Sequence, residues 1–317
     1  MKKINLFTFL ITAGVAFATF SCGQSGKGPA DTTTTGHIKI SADESFAPIV
    51  DAQIQTFEGL YKYANVDVAY KPEVQVVKDL LEDTIRFAVM ARQLTDLEKA
   101  EFDKLKITPR VYKIAIDGIA LILNKENTDT TLTLQQVRDV FTGQTTNWRQ
   151  LDPTATDGKI TIVFDNSSSS TARFILDSIN HKKPLPPNTF ATTSNSTLVD
   201  YVAQNRNAIG VIGVNWISDR RDSTAISFLK KVNVVGISVQ DAPTSVDDYI
   251  QPYQGYLAQG TYPLRREVFI VSREARAGLG TGFASFITGD KGQRIILKSG
   301  LVPASMPVRI VGFSQQE

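Results

Sequence analysis

The chain has 317 residues, enough for a large core and more readily two domains than one. With 42% hydrophobic and 21% charged residues it is ordinary globular material, and 34 Lys plus Arg against 32 Asp plus Glu leave no basic surface on which nucleic acid would be held. A single cysteine, Cys22, excludes an internal disulfide, and only two histidines, His37 and His181, far apart, exclude a histidine-rich metal centre.

Lys2 and Lys3 precede an almost wholly apolar run from Leu6 to Phe20, followed by Ser21, Cys22 and Gly23. A short positive leader, an apolar stretch and small residues make residues 1–21 a signal peptide, and the run is too short for a convincing stand-alone membrane helix. Cys22 directly follows it, where a bacterial lipoprotein carries its modified cysteine, although the preceding Thr19-Phe20-Ser21 lacks the usual leucine. Acyl chains on Cys22 would supply the methylene burial that stable anchoring needs. Residues 22–36, rich in Gly, Ser, Thr and Pro, read as a lipidated tether.

From His37 onward strands and helices alternate. His37–Ile40 begins a strand; Phe46, Ile49, Val50, Ile54 and Phe57 follow at helical spacing, with Pro48 confined to the first turn. Residues 66–70 alternate as a strand, Val74 to Leu81 carry a helical stripe, and Ile85 to Ala91 alternate again. Thr95 with Glu98, and Thr133 with Gln136, match capping boxes. Tyr112–Leu123 is a long apolar strand interrupted by Asp117-Gly118, the first crossing between lobes. Gly143 terminates the helix over 132–141. Ile160–Phe164 is a strand, helices follow around Phe174–Ile179 and Leu198–Val202, and two glycines in Ala208–Val214 imply close backbone approach or a bulge. Residues 253–262 read as a Tyr/Gly connector, Leu264–Val271 as the returning strand, and a last helix begins at Asp290 and ends at Gly300. This rhythm predicts a mostly parallel α/β sheet with helices on both faces.

Several blocks resemble one family in order. Leu132–Leu151 (LTLQQVRDVFTGQTTNWRQL) resembles its strand–helix–FTG…W block; Ile114–Asn124 its crossing strand; Asn207–Val214 a later strand-turn; Tyr262–Ser272 the returning strand; Lys291–Ala304 the terminal helix. The family is the phosphate-binding proteins of bacterial ABC transporters, a type II periplasmic-binding-protein fold. The resemblance implies two discontinuous lobes, 37–120 plus 262–317 and 121–261, closing over a ligand. It implies a monomer in the periplasm or cell envelope, anchored through lipidated Cys22. That monomer captures inorganic phosphate and passes it to an ABC permease, with no cofactor and no nucleic-acid partner. Another small oxyanion, or a sensor or surface-interaction lipoprotein with a degenerate site, is the alternative.

An oxyanion needs amide and hydroxyl donors at helix starts, often with an arginine. The resemblance places Ser45 and Phe46, in the turn Asp43–Phe46, on ligand-binding positions, and aligns Ser168, Ser169, Ser170 and Thr171 with a Gly-Ser-Gly-Thr turn that Arg173 follows. Arg92, after the strand ending at Met90, is the third candidate. Two departures weaken the cradle. Tyr70-Lys71-Pro72-Glu73 replaces a Gly/Ser-rich turn, and Pro72 has no N–H to give. Asp165 stands where some members carry a salt-bridging arginine, and must accept a proton from the ligand or pair with Arg173 or Arg92. An enzyme is not expected: Ser168 or Ser169 lacks an oriented base, and there is no Gly-x-Ser-x-Gly elbow or phosphate-loop lysine.

Overall fold

The computed structural model describes residues 31–154 and 158–309. Cys22 and the apolar leader lie outside them. The elements in order are β1 (Thr35–Asp43), α1 (Ala47–Leu60), β2 (Tyr63–Lys71), α2 (Glu73–Leu81), β3 (Phe87–Met90), α3 (Asp96–Lys104), β4 (Arg110–Asn124), β5 (Thr131–Thr133), α4 (Leu134–Phe141), β6 (Thr161–Phe164) and α5 (Ser170–Phe174). A π turn, Ile175–Ile179, prolongs α5. There follow β7 (Thr189–Ala191), α6 (Asn195–Gln204), β8 (Ala208–Gly213), α7 (Ser223–Lys231), β9 (Val232–Val234), β10 (Gly236–Ser238), α8 (Gln254–Gln259), β11 (Arg265–Ser272), α9 (Leu279–Thr288), α10 (Asp290–Lys298) and β12 (Val302–Pro303).

The main sheet runs β2-β1-β3-β11-β4-β8-β6-β7. Its two flanks are parallel, β2-β1-β3 and β8-β6-β7. They are joined through β11 and β4, which run antiparallel to each other and to their outer neighbours. The sheet is therefore mixed rather than mostly parallel, because the strands that cross between lobes enter against the flanks. β4 spans both lobes: Arg110–Gly118 pairs with β11, and Ile119–Leu123 pairs with β8. Its apolar length lets one strand run buried through a core that is continuous across both flanks.

Local signals explain the ends of the helices. Both capping boxes form, Thr95 with Glu98 and Thr133 with Gln136. Pro48 sits in the first turn of α1, and Gly143 takes φ +77° just past α4. Trp148 of the FTG…W block is 1% exposed and its Nε1 donates to the Asn207 carbonyl at 3.3 Å, tying the loop after α4 to the start of β8. Gly210 has no room for a side chain: a Cβ there would lie 2.7 Å from Ile122 Cγ1 and 2.8 Å from Val202 Cγ2, so α6 packs directly on the β4–β8 pair.

Several segments differ from the sequence reading. Thr35 and Gly36, assigned to the tether, open β1, and Asp31 already belongs to the body, accepting from the Leu279 N–H at 3.0 Å. The connector 253–262 contains α8. Two helices, α7 and α9, had no sequence assignment.

Candidate functional site

Ser45 lies in a single 3-10 turn, Glu44–Phe46, between β1 and α1. Asp43 caps this turn, its Oδ1 accepting from the Ser45 N–H at 2.8 Å. On the other lobe, Ser169 caps α5 through the Ala172 N–H at 3.3 Å, and the Ser168 N–H is taken by Asn166 Oδ1 at 2.8 Å. The two turns meet: Ser45 Oγ and Ser170 Oγ are 3.2 Å apart and both residues are wholly buried. Asn215, after β8, closes the same seam by donating from Nδ2 to the Ser45 carbonyl at 3.1 Å. Of the serine run, Ser169, Ser170 and Thr171 face inward while Ser167 and Ser168 are exposed.

The cation at this seam is Arg266, 5% exposed, on β11. Its Nη1 donates to Ser170 Oγ at 2.8 Å and its Nε to Asp117 Oδ2 at 2.9 Å, and its guanidinium carbon lies 4.7 Å from the centre of the Phe46 ring. Arg266 and Asp117 face each other in the β11–β4 register. Gly213 makes room for them, since a Cβ there would stand 3.0 Å from Arg266 Nη2. Neither residue was a candidate from sequence. The available signal was one charge of each sign inside two strands otherwise apolar at alternate positions, Leu264, Arg266, Val268 and Ile270 in one and Ala115, Asp117 and Ile119 in the other.

The PBP superfamily domain matches residues 27–291. The chain belongs to the PBP superfamily. Among curated relatives, the phosphate-binding protein PstS of Staphylococcus epidermidis is 25% identical over 299 residues, covering 92% of this chain and 87% of that one. Its namesake from Staphylococcus aureus is 24% identical over 297 residues, covering 92% and 86%. A Clostridium perfringens protein solved with bound phosphate superposes with a TM-score of 0.71 at 23% identity, covering 85% of this chain and 100% of that one. An ABC-type phosphate transport receptor from Vibrio cholerae gives 0.64 at 22%, covering 84% and 100%. The fold of this PBP-superfamily protein is thus the two-lobed α/β arrangement, and the superfamily is solute-binding and not catalytic.

In this PBP-superfamily protein the seam is rich in carboxylates. Asp165 is wholly buried, and its Oδ1 accepts from Thr171 Oγ1 at 2.7 Å. Ser169 Oγ is 2.7 Å from Thr171 Oγ1 and donates to the Asn166 carbonyl at 2.9 Å. Burial pushes Asp165 upward, against the pull of the Thr171 and Ser169 hydroxyls and of Arg266. Asp43 is pushed up to about 6, by burial first and then by the charge of Glu73. Glu44 rises to about 7, by burial and then by Asp165 and Asp43. Burial raises Asp117 as well, with Arg266 opposing it.

Arg92 and Arg173, the arginines singled out from sequence, are brought together, but on a carboxylate of the chain itself. Arg92 Nε and Arg173 Nε both donate to Glu73 Oε1, at 3.0 and 2.7 Å. The remaining nitrogens of Arg92 pair with both oxygens of Glu98 at 2.7 Å. Arg173 also reaches Asp177 at 3.3 Å.

Proposed function

We propose that this chain is an extracytoplasmic solute-binding lipoprotein that captures inorganic phosphate between its lobes and delivers it to an ABC permease. The observation that carries this reading is the meeting of Ser45 from one lobe with Ser170 from the other against buried Arg266. Hydroxyl donors from both lobes and one cation converge where closure excludes water, which is what a small oxyanion requires. The similarity to the staphylococcal phosphate-binding proteins and to the Clostridium perfringens protein with its bound phosphate supports the same ligand. The ligand-facing set in this reading is Ser45, Phe46, Asp165, Ser169, Ser170 and Thr171, to which the geometry adds Arg266; Ser168, Arg92 and Arg173 stand at its margin.

The carboxylates refine the choice of anion. Asp43 Oδ2, Asp165 Oδ2 and Asn215 Oδ1 are buried acceptors without a hydrogen-bond partner. They call for a ligand that brings protons, as monohydrogen or dihydrogen phosphate does and sulfate does not. Calorimetry on protein stripped by unfolding and refolding checks this: phosphate and arsenate should bind and sulfate should not. Equal binding of sulfate would remove the role given to Asp43 and Asp165.

A second reading, a sensor or surface-interaction lipoprotein with a degenerate site, has one observation in its favour. Ser170, where the family turn has glycine, fills the seam with its own hydroxyl. Absence of any anion binding would favour it.

The rest of the reading concerns the envelope. Residues 1–21 act as the signal peptide, Cys22 takes the lipid, and the lobes divide as 37–120 plus 262–317 and 121–261. The mature chain then works as a membrane-tethered monomer. Cys22→Ser should release it from the membrane fraction with loss of the acyl mass; unchanged retention and mass would contradict the anchor.

A further inference from the structure

Glu73 opens α2 directly after Pro72, in the segment that departs from the family turn, and is 2% exposed. Its carboxylate is fully engaged. Oε1 accepts from Arg92 Nε at 3.0 Å and Arg173 Nε at 2.7 Å; Oε2 accepts from the Ala91 N–H at 2.9 Å and Arg173 Nη2 at 3.3 Å. A backbone amide and two guanidinium groups are the donor set that a bound oxyanion would otherwise collect. Glu73 and Arg92 belong to the flank carrying β1 to β3, whereas Arg173 is in α5 on the opposite flank. The site is also electrostatically close to the serine seam, since the charge of Glu73 contributes to raising Asp43.

We propose that Glu73 is a tethered anion that clasps the two lobes through Arg173. It positions the cleft shut without a ligand and makes entry of an oxyanion wait for the Glu73–Arg173 pair to open. The rate part of this proposal rests on the oxyanion reading; the closure part does not. A ligand-free binding protein without such a clasp spends its time open and is closed by its ligand; here the carboxylate supplies from within what the ligand would supply from outside. Glu73 is well placed for this because it loses no donor by closing. Arg92, held by Glu98 in the same lobe, keeps the carboxylate oriented, so of the bonds to Glu73 only those from Arg173 are made and broken.

The test is the full chain carrying Cys22→Ser, with spin labels at Lys104→Cys in α3 and Gln135→Cys in α4, both exposed and on opposite lobes. Electron–electron distance measurements and stopped-flow binding of inorganic phosphate are made on the parent, on Glu73→Gln, on Arg173→Met and on the double variant. The expected result is a narrow interlobe distance in the ligand-free parent that phosphate leaves unchanged. Each single variant should broaden it, phosphate should narrow it again, and association should quicken at least about tenfold. The double variant should add nothing beyond either single one. A ligand-free parent as broad as Glu73→Gln, or single variants whose distances match a narrow parent, would overturn the clasp. Arg173→Met guards against a mere folding defect, because it leaves Glu73 paired with Arg92. If no variant binds phosphate yet the distances shift as described, the clasp stands and the oxyanion reading falls. If phosphate binds and no distance shifts, the reverse holds.

Discussion

Arg266 and Asp117 form an ion pair with both side chains almost wholly out of water. Removing one partner strands a charge, while removing both with apolar replacements does not. Arg266→Met should therefore cost about 3–5 kcal/mol of stability, and adding Asp117→Leu should recover much of it. Urea denaturation of the singles and the double checks this; additive losses would contradict the pairing. The double should still fail to bind phosphate, since the cation is gone. Asp43 and Glu44 set a pH dependence. Their values rise from 3.8 to about 6 and from 4.5 to about 7, burial leading in both. A raised carboxylate stabilises the fold fully below its ordinary value and loses that contribution as pH rises through the raised one. The ligand-free protein should thus lose stability between about pH 4 and pH 7, and Asp43→Asn should flatten the part between about pH 4 and pH 6. An unchanged profile in Asp43→Asn would assign the loss to other groups. At this scale Ser45, Ser169, Ser170 and Thr171, singled out by the family resemblance and by hydroxyls at strand-to-helix turns, are buried at one seam. Arg266 was hidden, because its significance comes from a cross-strand partner 149 positions away.

The helices with explicit caps were legible, and their caps should be measurable. Thr133→Ala removes the hydroxyl that accepts the Gln136 N–H at 3.1 Å and should cost about 1 kcal/mol, checked by thermal or urea melting. A cost near zero would mean that packing of Val137, Val140 and Phe141 alone fixes α4. The missed helices explain themselves physically. α7 buries only Ala225 and Phe228, too few apolar positions to declare a stripe. α9 carries Gly280 and Gly282, which argue against helix locally. The fold needs them: a Cβ at Gly280 would fall 2.5 Å from Glu274 Oε1, and one at Gly282 would fall 1.8 Å from the Thr33 carbonyl oxygen, so Gly282 lets the chain entering β1 cross the helix. The same contact explains why residues 31–36 were misread as tether. Their composition is that of a linker, and only a tertiary partner holds them down.

Across the whole molecule, the alternation of strands and helices disclosed an α/β class, and the ordered blocks disclosed two lobes. The antiparallel centre of the sheet was not legible, because strand direction leaves no mark on residue periodicity. That centre bears on the proposed function: β4 runs from its pairing with β11 into its pairing with β8, and the two central strands carry Asp117 and Arg266, so the buried cation lies where the chain crosses between the flanks. In the proposed reading, opening and closing would move Ser45 and Ser170 apart and together beside Arg266. The central claim is that a small oxyanion is gripped between these turns, with Thr171 contributing through Asp165. Its most direct test is calorimetric titration of ligand-stripped protein with phosphate, beside Thr171→Ala. The account expects one phosphate per chain and binding roughly 10- to 100-fold weaker in the variant, because Asp165 loses the hydroxyl hydrogen bond that orients its carboxyl in the seam. No phosphate binding by the parent, or equal affinity in Thr171→Ala, would contradict it.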